Sequence, residues 1–199
     1  MIDSIRTCLK LSLVALVCLA SSTSFGQLSF EPSWQPPTYE TVRRQVFDWI
    51  DNVPLDPILA QEGRSLWPSV PLREMGGAAL LDSVVETAAI MYPPVGNLMA
   101  QCNQHSTQPL LPDISWLMSR EYPDFVQNNV RLYLARWLNQ HARYDDALAL
   151  LEDVHVQEVV DPASLLFCRM VAHHQLVEPD RSRAALIELM GHEHSRPTG

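Results

Sequence analysis

The chain has 199 residues, of which 47% are apolar and 19% are charged, and its formal net charge at pH 7 is −9. This length and balance are typical of one globular domain with a real core. The acidic balance argues against non-specific binding to nucleic acid or to anionic membranes.

Residues 1–26 have the pattern of a secretory signal peptide. Arg6 and Lys10 precede a short apolar run, Leu11–Ala20, and small residues follow before a cleavage point near Gly26-Gln27. We expect the mature protein to be secreted or periplasmic, and to meet a membrane only transiently through this leader. The alternative is a protein anchored by an uncleaved N-terminal helix. Lys10 is the only lysine, so cleavage leaves no lysine for phosphate binding or Schiff-base chemistry.

The segment after the leader is rich in proline, and residues 27–37 are predicted to form an extended arm. A helical domain is predicted over 38–190, and its first part, 38–120, consists of irregular hairpins. Caps, prolines and apolar periodicity place the elements of this part. They are a helix from Thr38 to Pro54, with Thr41 as the alternative cap, a helix from Asp56-Pro57, a Gly76-Gly77 hinge, helices over Ala78–Met91 and Val95–Cys102, an exposed loop over Asn103–Pro112 and one turn over Asp113–Met118.

The chain is organised around residues 125–151, which predict an αα-hairpin. Its apolar stripes recur at three- and four-residue steps in both arms, and the corner is predicted at Asn139–His141. The stripes are Val126, Val130, Leu134 and Leu138, then Tyr144, Ala147, Leu148 and Leu151. We expect the polar side of the first arm to face water, with Gln127, Asn128, Arg131 and Arg136 on it.

A second hairpin is predicted to follow. Asp161 and Pro162 begin its first helix, and Ser182–Met190 forms its partner, with Leu186, Leu189 and Met190 buried. Gly191 ends this helix, and residues 191–199 are predicted to be a flexible tail. Since no polar helix follows, we expect the last apolar face to be covered by the arm, by a partner or by self-association.

The run ARYDDALALL resembles the middle of a tetratricopeptide repeat. Ala142, Tyr144, Ala147 and Leu151 match the small, aromatic and apolar positions of that repeat, and Ala135 matches the small residue of its first helix. Arg131 departs from it, because it stands where the repeat often has tryptophan. The resemblance covers about residues 125–190. It implies an all-α, tetratricopeptide-like array of antiparallel hairpins that binds proteins or peptides and rarely catalyses.

The cysteine and histidine residues could form a disulfide or bind a metal, but their spacing matches no specific motif. Cys168 lies in an apolar run, which favours a buried thiol, and a disulfide with Cys102 is the alternative in an oxidising compartment. His173-His174 point apart on a helix, and neither this pair nor His192-Glu193-His194 has the spacing of a zinc motif. We predict no metal, no cofactor and no catalytic residue.

Aromatic and arginine side chains cluster near the central hairpin. Aromatic anchors with arginines beside them are typical of a surface that docks a peptide or helix. The candidate partner-binding residues are Tyr133, Arg136, Trp137, Arg143 and Tyr144. The alternative is that these aromatic residues are simply core, which their helical period favours.

These observations leave three functions open. The first is an exported, non-catalytic module that binds a protein or peptide in the cell envelope. The second is an envelope hydrolase that uses a metal or carboxylates, and the third is a structural envelope component without a ligand. The chain is either complete or a shortened form of a longer relative.

Overall fold

Capping side chains fix the starts of three helices. The side chains of Thr38, Asp56 and Asp161 accept hydrogen bonds at 2.8–3.2 Å from backbone N–H groups of the first turn that follows. Such bonds satisfy donors that have no partner inside the helix. Proline occupies the first helical position after Asp56 and Asp161, where its missing N–H costs nothing. The sequence predicts the starts after Asp56 and Asp161, and of its two candidate caps for the first helix the structure selects Thr38.

The computed structural model describes residues 35–54, 56–71, 75–103, 112–119 and 121–193, with the backbone alone at 192 and 193. These residues are all-α, as predicted, and contain no strand. The α-helices are α1 (Tyr39–Asn52), α2 (Pro57–Ser65), α3 (Gly77–Met91), α4 (Pro93–Cys102), α5 (Asp124–Gln140), α6 (Tyr144–Leu151), α7 (Pro162–Gln175) and α8 (Pro179–Glu193). Two 3-10 turns span Ser115–Met118 and Val156–Glu158.

Several predictions fall outside the described residues. They include the whole signal peptide, 1–26, all but the last three residues of the arm, 27–37, and most of the loop after α4. Among the described helices, none has the length and apolar content that a bilayer crossing requires.

Helix α3 lies at the centre of the first part of the domain, in contact with α1, α2, α4, α5 and α7. Every residue that the sequence predicts to be buried on this helix is buried: Leu80, Leu81, Val84, Val85, Ala88 and Met91. Thr87 is buried as well, and its hydroxyl accepts a 2.8 Å hydrogen bond from the indole of Trp67. A buried hydroxyl without such a partner would be costly. The bond therefore holds Trp67, which follows α2, against α3 in the core.

The second part of the domain consists of two hairpins, α5–α6 and α7–α8, whose corners have the same backbone geometry. Ala142 and Val177 have positive φ angles of 56° and 61°. In each corner, the N–H of the next residue donates at 2.9 Å to a carbonyl in the last turn of the preceding helix. This is the Schellman arrangement. The first corner therefore lies at 141–143, slightly later than the predicted 139–141, because α5 continues to Gln140.

Val177 is a β-branched residue in a conformation that normally requires glycine. Its side chain is 84% exposed, so replacement removes little packing. We expect Val177→Gly to raise the free energy of unfolding by about 1 kcal/mol, as measured by urea denaturation. The matched control is Val70→Gly, because Val70 is also exposed but has no positive φ; there we expect no gain. A loss of stability in Val177→Gly would contradict the prediction.

The polar side of α5 is largely covered, which corrects the expectation that it faces water. Gln127 and Arg136 are half-buried, and the other two residues on this side are buried. Asn128 and Arg131 are only 8% and 7% exposed. The Nε of Arg131 donates to the Leu150 carbonyl at 2.7 Å, and the amide of Asn128 donates to the Glu158 carboxylate at 3.2 Å. The physical reason is that the connector between α6 and α7, residues 153–161, packs over this side of α5. It is held there by Asn129, whose side chain accepts from the N–H of Val160 at 2.9 Å.

Helix α8 also differs from its prediction. It begins at Pro179 and continues to Glu193, past the predicted stop at Gly191. Leu189 packs against the core as predicted, but Leu186 and Met190 are 40% and 49% exposed, so their predicted burial was wrong. No described element covers the side of α8 that faces away from α7. The covering of this face by the arm, a partner or self-association stays a prediction.

Candidate functional site

Three of the five predicted partner-binding residues meet at one cleft. Tyr133, Arg136 and Trp137 line a cavity of about 380 Å³ together with residues of α3 and α4. Arg136 forms an ion pair with Asp82 at 3.1 Å, and the indole of Trp137 donates to the Cys102 carbonyl at 2.8 Å. Trp137 is buried, and its ring also packs on His141, the residue that caps the end of the same helix. These contacts give Arg136 and Trp137 roles inside the protein, and partner binding by this cluster stays a prediction.

The other two predicted residues lie at the α5–α6 corner. Arg143 donates to the Asp146 carboxylate at 2.6 Å, which fixes the start of α6. Tyr144 is the first residue of α6 and is half-buried. The structure therefore divides the five residues between a cleft beside α3 and a helix corner.

A larger groove lies between α6 and α8, with α7 as its floor. Its volume is about 610 Å³. The residues that line it come from the three helices and from the start of the connector: Leu148, Ala149, Leu151, Glu152, His155, Leu166, Arg169, His173, Arg181, Ala184, Ala185 and Glu188. Half of them are leucine or alanine, and the charged residues stand among these apolar side chains.

The floor of the groove is rigid because Arg169 is held by backbone atoms. Its guanidinium donates to the carbonyl of Leu151, the last residue of α6, and to that of Val154, three residues further along the chain. The Leu151 carbonyl has no partner inside α6. A cation at this position also interacts favourably with the helix dipole. Burial lowers the pKa of the Arg169 guanidinium, and the nearby carboxylate of Glu188 opposes this shift. Beside Arg169, Leu166 is fully buried.

One end of the groove carries the exposed guanidinium of Arg181. Here α7 ends and α8 begins, and His173 Nδ1 lies 2.7 Å from the Glu178 carboxylate. The same carboxylate is 3.6 Å from the guanidinium of Arg181, whose side chain is 71% exposed. An exposed arginine with one long ion pair keeps free hydrogen-bond donors, so Arg181 can bind a further acceptor at this end.

The opposite end of the groove carries negative charge. Glu188 lies two turns further along α8 than Arg181, and its carboxylate is close enough to Arg169 to affect the pKa of that guanidinium. Glu152 ends α6 beside the backbone carbonyls that Arg169 binds, and it is exposed. His155, which also lines this part of the groove, follows three residues later in the connector. The groove therefore has an apolar middle, with the exposed Arg181 at one end and Glu152 and Glu188 at the other.

A second cleft, of about 570 Å³, lies between the start of α1, the start of α5 and the connector. Its two acidic residues already have structural roles. Asp124 stands in the first turn of α5, where negative charge is favoured, and Glu158 accepts hydrogen bonds from Asn128 and from the N–H of His155. This cleft therefore has fewer uncommitted groups than the groove.

The two cysteines of the described chain are free and buried. Burial raises the pKa of both thiols to about 11, so each is a neutral thiol at pH 7 and a poor nucleophile. The prediction that Cys168 is a buried small residue is confirmed. The described residues contain no group of three or more histidine, cysteine or acidic side chains that could hold a metal ion.

The chain matches no protein-family model, and it has no significant match among curated proteins or solved structures. The geometry of the groove is therefore the basis on which a function is proposed. Sequence reasoning found Leu148 and Leu151 as members of the stripe on α6. It missed Arg169, Arg181 and Glu188, because the groove that they line forms only when α6, α7 and α8 pack together.

Proposed function

We propose that this chain is an exported, non-catalytic module that binds a segment of another protein in the groove between α6 and α8. The observation that carries the proposal is the groove itself, which combines apolar side chains on the walls from α6 and α8 with charged residues at its ends. Its floor is held in place by Arg169. Apolar grooves with a few placed polar groups are typical binding sites, and amphipathic partner segments use them.

We also propose that α5–α8 are two tetratricopeptide-like repeats. Ala142 and Val177, the two residues with positive φ, are equivalent in their corners, and they are separated by close to the 34 residues of that repeat. Ala147 and Leu151 are buried between the helices, as the matching positions of the repeat require. Successive hairpins of this kind bury their faces on one another and leave grooves between helices for partners.

Photo-crosslinking of the mature protein in envelope extracts tests this proposal. A photoreactive residue at Ala149 or Ala184, in the groove walls, should crosslink to one partner protein, and the same group at Ala100 should not. Ala100 is an exposed alanine on α4, away from the groove. We further expect Ala184→Arg to weaken binding of that partner at least tenfold, because the new side chain fills the groove.

The substitution Ala100→Arg is the matched control, and it should leave binding unchanged. Circular dichroism of both variants would verify that their helices are intact. Equal crosslinking at all three positions, or equal affinity of the two arginine variants, would remove the groove as the docking site. A chain that crosslinks to nothing would favour the structural envelope component.

A further inference from the structure

We infer that the occupant of the groove is an amphipathic α-helix that runs antiparallel to α7, with an acidic residue near its N-terminal end and a basic residue about seven positions later. This inference rests on the proposed function, and it names the class and direction of the partner segment. It follows from the order of charges along the groove.

The charges are ordered along the axis of α8. Arg181 is anchored at the end where α7 meets α8, through Glu178 and His173. Further along, the hydroxyl of Ser182 donates to the Met170 carbonyl at 3.1 Å, which fixes the register of α8 on α7. Glu188 is seven residues after Arg181, which corresponds to two helical turns and about 10 Å.

Complementary charges on an occupant helix must have the same spacing. An acidic side chain at position i would meet Arg181, and a basic side chain at i+7 would meet Glu188 and Glu152. Positions i+3 and i+4 lie between them on the same face, opposite the apolar middle of the groove. The side chains of Ala184 and Ala185 in the α8 wall are small, so the backbone of an occupant helix can approach closely.

The charges at the two ends of the groove select the direction of this occupant. Its acidic residue meets Arg181, at the end where α7 ends and α8 begins, so its N-terminus lies there and it runs antiparallel to α7 and parallel to α8. The dipoles of these two lining helices oppose each other and do not select a direction. Acidic residues near the N-terminus and basic residues near the C-terminus also stabilise the occupant helix itself, which favours the orientation that the charges of Arg181 and Glu188 require.

Two synthetic peptides of identical composition test the inference on the mature protein. Both are helical, with leucine and alanine at positions i+3 and i+4. The first has glutamate at i and lysine at i+7, and the second has these two residues exchanged. By fluorescence anisotropy at low salt, we expect the first peptide to bind about fivefold to tenfold more tightly, the effect of two exposed ion pairs.

The double variant Arg181→Glu, Glu152→Arg should reverse this preference. Both side chains are exposed, and the net charge of the protein is unchanged. Because Arg181→Glu removes the ion pair with Glu178, circular dichroism must first show that the double variant keeps its helices. The variant Ala184→Arg should weaken both peptides. Two peptides that bind the wild-type groove equally well would overturn the inferred direction and leave the docking site intact. If neither peptide binds, or if both bind the Ala184→Arg variant as well as they bind the wild type, the proposal that the groove is the docking site is wrong.

Discussion

Replacement of Arg131 by alanine is expected to lower the free energy of unfolding by about 2–3 kcal/mol. The side chain of Arg131 is 8% exposed, and its Nε donates to the carbonyl of Leu150 at 2.7 Å. A second nitrogen lies 3.6 Å from the carboxylate of Asp153, which is 72% exposed and adds little. Alanine would remove the donor of the Leu150 carbonyl and open a cavity on α5, and both effects destabilise.

Urea denaturation followed by circular dichroism would measure this loss. The matched control is Arg44→Ala, because Arg44 is exposed on α1, and there we expect a change within about 0.5 kcal/mol. The variant Arg131→Met, which keeps most of the aliphatic volume, should lie between the two. A loss below about 1 kcal/mol in Arg131→Ala would mean that the carbonyls of α6 find other partners.

Replacement of Gly77 by alanine is expected to cost about 2–3 kcal/mol, although alanine is the better helix former. Gly77 begins α3, and a Cβ there would overlap the carboxylate of Asp161, with the Cγ carbon of Asp161 only 2.8 Å away. Asp161 is 3% exposed and caps α7, so it cannot move without loss of that cap. At the adjacent Gly76, an added methyl group would have no neighbouring atom within 4 Å, and Gly76→Ala should therefore be nearly neutral.

A double-mutant cycle separates this overlap from other causes. The single variant Asp161→Ala should cost about 1 kcal/mol through loss of the N-cap. In that background the further change Gly77→Ala should cost clearly less than it does in the wild type, because the carboxylate that it would meet is gone. Strictly additive losses would show that the glycine is needed for a reason other than its approach to Asp161.

The sequence predicts the helices well because their boundaries are local. The caps at Thr38, Asp56 and Asp161 act within one turn, and apolar residues at three- and four-residue steps select the buried face of α3 and the first stripe of α5. These signals need no knowledge of the rest of the chain. The all-α class and the hairpins follow from them directly.

The errors have a common physical cause, which is that the neighbours of a helix face are not local. The polar side of α5 was predicted to face water, but the connector after α6 covers Asn128 and Arg131. Leu186 and Met190 were predicted to be buried, but no described element packs on that side of α8. The groove was missed for the same reason, since Arg169, Arg181 and Glu188 become neighbours only through helix packing.

The two arginines that hold the end of α6 have a consequence for how fast a partner can bind. Arg131 from α5 and Arg169 from α7 both donate to carbonyls at or just beyond the last turn of α6, so this short helix cannot fray without breaking bonds to both neighbours. Its wall of the groove therefore meets an incoming partner in the final conformation. The association rate constant should lie in the range set by diffusion and orientation, about 10⁵–10⁷ M⁻¹s⁻¹, without a slow step of rearrangement.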